Sequence, residues 1–95
     1  MTYEEIIAPD SAEVATFPVT VRRLIAETAE LGGEVKMICR GFAGQHLVFY
    51  LPCRYVGGGT GMRQAGTVGW YVRDGRNKIS SGVHDVRDAL RRKRR

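Results

Sequence analysis

The sequence predicts an α+β domain of order α-β-β-β-α: a three-stranded antiparallel sheet with both helices on one face and a possible extra strand at the N-terminus. Three observations predict it. Val21, Leu24, Ile25 and Thr28 recur at helical spacing before a Gly32-Gly33 stop. Two later segments that alternate apolar and polar residues flank the apolar run Leu47 to Leu51, and Val83, Val86 and Leu90 form the narrow apolar stripe of a closing helix.

Ninety-five residues make a single domain, read as an N-terminal arm or short strand over 1–15, a core over 16–90 and a basic tail over 91–95. A chain of this size buries only roughly 60–65% of its unfolded surface, enough for one layer of helix on one sheet. Ile6-Ile7-Ala8 is the only apolar stretch of the arm before Pro9 and Asp10 interrupt it. Pro18 then suits the first turn of a helix that runs to Leu31, and a glycine past the last periodic residue closes it.

Glu34 to Arg40 alternates with Val35, Met37 and Cys39 on one face, and Gly41-Phe42-Ala43-Gly44 reads as a hairpin connection into a strand from Gln45 to Leu51, stopped by Pro52. Leu47, Phe49 and Leu51 make the better core face, so His46, Val48 and Tyr50 face away from the core. Residues 54–66 hold five glycines and no hydrophobic period, and are expected to be a long mobile loop. Thr67 to Arg73 restores alternation, Asp74-Gly75 supplies a tight turn, and Ser80 or Ser81 is the expected N-cap of the last helix.

Fifteen Lys and Arg against ten Asp and Glu give a net charge of +5, and arginine heavily outnumbers lysine. The guanidinium fork grips phosphate bidentately, which points to a nucleic-acid partner. Cys39 and Cys53 have neither C-x-x-C spacing nor nearby ligands, so no metal site or disulfide framework is indicated and no cofactor is called for. With no apolar leader and no run long enough to span a bilayer, the expectation is a cytoplasmic protein without a membrane partner.

His46, at the start of its strand, is the residue best suited to proton chemistry near neutral pH. Lys36 and Arg40 on the neighbouring strand would supply cations beside it, and Tyr50 an aromatic surface on the same face. Arg63 in the glycine-rich segment, and Arg87, Arg91 and Arg92 on the closing helix and tail, are the remaining candidates for phosphate contact. Gly57-Gly58-Gly59-Thr60-Gly61 lacks the Lys-Ser/Thr pair of a phosphate-binding loop, and His84 is explained by solvation at a helix start.

Three pieces in order resemble the HicA family of small toxins, which share the double-stranded-RNA-binding-domain topology. These are Val21 to Gly33 leading into Glu34 to Arg40, the G-x-H-x-x-F/Y segment Gly44 to Phe49, and Ile79-Ser80-Ser81-Gly82-Val83 continuing to Leu90. The resemblance implies a metal-independent endoribonuclease acting on messenger RNA, with His46 at the catalytic position, held inactive by a HicB-like antitoxin. The family usually has serine where Gln45 stands, and residues 1–15 and the glycine-rich segment are additional to its compact form. A non-catalytic nucleic-acid-binding module, or a small phage or plasmid protein that inhibits a host or defence complex, are the alternatives. The oligomeric state is left open by the sequence.

Overall fold

The computed structural model describes residues 4–41 and 44–95. Its order is β1 (Glu5–Ile6), a 3-10 turn (Ala12–Thr16), α1 (Val19–Glu30), β2 (Glu34–Cys39), β3 (Gln45–Arg54), β4 (Thr60–Arg73), β5 (Arg76–Ser81) and α2 (Val83–Arg94). The strands form one antiparallel meander in the order β1-β2-β3-β4-β5. The sheet therefore has five strands, which corrects the three-stranded expectation.

Alternation along the strands divides the sheet into a covered and an open face. Val35, Met37, Leu47, Phe49, Leu51, Val68 and Trp70 meet Val21, Leu24 and Ile25 of α1 and Val86 and Leu90 of α2 in one buried cluster. Phe17, just before α1, packs on Trp70 with ring centroids 4.9 Å apart at 59°, the tilted geometry aromatic pairs prefer. The one buried polar side chain of α1, Thr28, donates its hydroxyl to the Leu24 carbonyl at 2.7 Å, so its burial leaves no orphan donor. α1 packs on β2 and β3, α2 packs on β4, and the helices touch each other.

Two stretches of the sheet come from segments read otherwise in the sequence. Pro52 does not end β3, which continues to Arg54. β2 begins at Glu34, opposite Tyr50, so beyond that pair β3 has a neighbour only on the β4 side, where Pro52 pairs with Met62. On such a free edge the missing proline N–H costs no ladder hydrogen bond. The expected mobile loop over 54–66 is instead the tip and returning strand of a hairpin, with β4 already formed at Thr60. Tyr55 N–H donates to the Gly59 carbonyl at 2.7 Å, closing the tip.

β5 is the other unforeseen strand. Asp74 and Gly75 have φ of 53° and 73°, a left-handed pair matching the twist of a two-residue hairpin, and fold β5 back on β4. Ser80 and Ser81 consequently belong to β5 and do not cap α2. The cap is Gly82, at φ 89°, where a Cβ would run into the Thr67 carbonyl, so only glycine lets the chain enter the helix there.

β4 is 14 residues long, roughly 45 Å at about 3.3 Å per residue. It sets the long dimension of a molecule measuring 50 × 31 × 23 Å. Among the described residues no helix is long and apolar enough to cross a membrane.

Candidate nucleic-acid interface

The far part of the β3–β4 hairpin and the last turns of α2 bound a groove of about 540 Å³. Its base is apolar, from Leu51, Pro52, Ala65 and Ala89, and its walls carry Arg54, Arg63, Arg92 and Lys93. Gln64 and Cys53 complete the lining, and no carboxylate belongs to it among the described residues.

Local geometry explains why these side chains converge. Ala89, Arg92 and Lys93 stand at i, i+3 and i+4, which is one face of a helix. That face turns toward the hairpin because Val86 and Leu90 are held in the core, while Arg94 reaches Glu27 and Glu30 of α1 at 3.9 and 3.5 Å. Across the groove, Arg63 pairs in register with Leu51 and Arg54 with Thr60. A bulge in β4 between Gln64 and Gly66 places Ala65 against the edge of the core.

Charge is distributed unevenly along the chain. Residues 1–53 hold four Lys and Arg against seven Asp and Glu, whereas residues 54–95 hold eleven against three. Four cations around one concavity, with no carboxylate in its lining among the described residues, make a field that favours an anion, and three of them are arginines able to fork onto phosphate oxygens. The apolar base beneath them gives room for a ring as well as a charge.

The residues singled out from sequence fall in several places. Arg63 and Arg92 meet in the groove, with Arg54 and Lys93, which sequence reasoning missed. The i, i+3, i+4 spacing of Ala89, Arg92 and Lys93 was the available signal for the second. Arg91 lies 3.8 Å from Asp88 on the solvent side of α2, and Arg87 is exposed on the same helix. Lys36 sits 3.7 Å from Glu4 and 5.2 Å above the Tyr50 ring, a cation–π pair on the open face of the sheet.

Arg40 does not reach toward His46. Its guanidinium donates to both carboxylate oxygens of Glu13 at 2.9 and 2.6 Å and to Glu5 at 2.7 Å. Those hydrogen bonds, Glu13 first and Glu5 second, hold the guanidinium well above its ordinary pKa. A register irregularity between Met37 and Cys39 leaves Cys39 opposite His46 on one side and Gly69 on the other. The half-buried imidazole lies over Gly69, where an added Cβ would come within 2.7 Å of Cδ2 and Nε2 and 2.9 Å of Ser80 Oγ.

His46 and the groove are thus separate. Leu51, opposite Arg63, is roughly 17 Å further along β3 at about 3.3 Å per residue. It also faces the other side of the sheet. Among the described residues no three His, Cys, Asp or Glu side chains come together as a metal site. Neither a protein-family model, nor a curated protein, nor a solved structure matches this chain.

Proposed function

We propose that this protein is a nucleic-acid-binding domain that holds the sugar–phosphate backbone in the groove between the β3–β4 hairpin and α2, and performs no chemistry on it. The observation that carries the reading is the convergence of Arg54, Arg63, Arg92 and Lys93 over an apolar base, with no carboxylate in the lining among the described residues. Like charges gathered in one place oppose folding, and none of these four makes an ion pair among the described residues, which favours a partner over a structural role.

The endoribonuclease reading implied by the HicA resemblance needs a base and a phosphate grip at one place. His46 is accessible on the open face, which favours that reading, but Arg40 is committed to Glu13 and Glu5 and the arginines of the groove lie elsewhere. Binding without cleavage accounts for more of the geometry. A HicB-like protein partner finds no specific support in the groove.

The test is an anisotropy titration of a labelled oligoribonucleotide across a salt series, with product analysis on a denaturing gel. Arg63→Ala combined with Arg92→Ala should weaken binding and flatten the dependence of log K on log salt by about 0.7 to 0.9 for each phosphate no longer held. The strand should stay intact for as long as binding is followed. Unchanged affinity in that double variant, or strand cleavage that disappears in His46→Ala, would overturn the proposal.

A further inference from the structure

The tip of the β3–β4 hairpin carries a feature that phosphate binding alone does not use. Tyr55 is 55% exposed, Val56 is fully exposed and Met62 partly so, apolar side chains left in solvent outside the core. The Tyr55 backbone is fixed at both ends of the tip, its N–H donating to the Gly59 carbonyl and its own carbonyl accepting from Gly58 at 3.1 Å.

The ring of Tyr55 does not dangle from that tip. It lies along the backbone of the opposite strand: a Cβ added to Gly59 would be 3.8 Å from Cδ2, and one added to Gly61 would be 2.7 Å from Cε2 and 3.2 Å from Cζ. Gly61 pairs with Cys53, and directly opposed residues of antiparallel strands project to the same face. Cys53 belongs to the groove lining together with Leu51 and Arg63, so the ring continues the base of the groove outward toward the tip. Its hydroxyl also lies against Gly61, 3.0 Å from an added Cβ, and neighbouring Cys53 raises the Tyr55 pKa above its ordinary value, by hydrogen bonding first and by charge second. Arg63, two residues along β4 from Gly61, projects to the same face as the ring, and Arg54 is the residue before Tyr55 in the chain.

We propose that the groove takes a single strand, and that Tyr55 is the surface on which an unpaired base stacks while Arg54, Arg63, Arg92 and Lys93 hold the adjoining phosphates. The inference rests on the binding reading above and deepens it to a class of ligand. An aromatic ring accepts any base because every base has a π-face, and cations along the same groove track the backbone. A duplex keeps its bases stacked on each other and has none to offer such a ring. Gly61 is then a positioning residue: it leaves the space in which the ring rests.

The experiment is an anisotropy titration with a labelled oligoadenylate RNA strand, a blunt duplex of equal length, and an abasic strand with the same number of phosphates. The oligoadenylate should bind more tightly than either of the others. Tyr55→Ala should weaken it about 5- to 100-fold, bringing it to the level of the abasic strand, and leave duplex binding unchanged. Tyr55→Phe should bind as the parent does, and Gly61→Ala should lose part of the affinity by displacing the ring. Tyr55 lies outside the core, so the melting temperature of each variant should match the parent. If Tyr55→Ala changes nothing while Arg63→Ala with Arg92→Ala weakens strand and duplex equally, the groove reading stands and the stacking proposal falls. If the arginine variant changes nothing either, both fall.

Discussion

Cations at the two ends of the sheet are used in opposite ways. Around β1, β2 and the 3-10 turn, Arg40 is held by Glu13 and Glu5 and Lys36 lies beside Glu4. Around the outer hairpin and the end of α2, Arg54, Arg63, Arg92 and Lys93 gather with no acid in the groove they line among the described residues. An isolated exposed ion pair is worth little, but Arg40 bridges two separate segments with charge-assisted hydrogen bonds and so fastens the N-terminal arm to the sheet. The second cluster makes no ion pair among the described residues. The difference separates charge that completes the fold from charge left for a partner.

Changes that ignore the distinction should have the largest effect. Phe49→Ala, at a fully buried position in the core, should cost about 3–5 kcal/mol of stability by emptying it, and binding should fail only because the fold fails; chemical denaturation checks this. Next, Arg92→Glu with Lys93→Glu should reduce nucleic-acid affinity by roughly a hundredfold at low salt while leaving the melting temperature within a few degrees of the parent. Both side chains are exposed, so a large loss of stability there would mean that the groove cations hold the fold together.

Smaller effects sharpen the contrast from the other side. Arg40→Ala should lower stability by about 1 kcal/mol, discounted for partial exposure, and leave affinity unchanged. A fall in affinity without a fall in stability would move Arg40 to the binding surface. Smallest of all, Arg63→Ala alone should leave denaturation unchanged and reduce the salt slope by about 0.7 to 0.9, the share of the one phosphate it grips. A slope equal to that of the parent would remove Arg63 from the binding surface.

What the sequence disclosed followed the core. Val21, Leu24 and Ile25, the alternation of Leu47, Phe49 and Leu51, and the stripe of Val86 and Leu90 all face one buried cluster, and burial is what writes period into a sequence. β5 has no buried residue, and neither do the outer ends of β3 and β4 over Pro52 to Arg54 and Thr60 to Gln64, so none of them could show that period. Pro52 and the glycines around Gly59 are residue types of loops, although a free edge accepts the first and the Tyr55 ring occupies the space left by Gly61.

The site was legible only in part for a related reason. Arg63 and Arg92 could be singled out as cations, but their meeting depends on the length of the hairpin, which only the β3–β4 register reveals. His46 stands out in the sequence because imidazole is chemically versatile near neutral pH. Its surroundings, Gly69, Cys39 and Ser80, are set by strand irregularities that no pattern of residue types announces.

Amide chemical-shift mapping during titration with a single-stranded oligoribonucleotide puts the two regions in direct competition. Binding through the groove predicts that the largest shifts fall on Arg54, Tyr55, Arg63, Ala89, Arg92 and Lys93, with Lys36, His46 and Gly69 unmoved. Shifts centred on Lys36, His46 and Gly69, with the outer hairpin and the end of α2 silent, would contradict it.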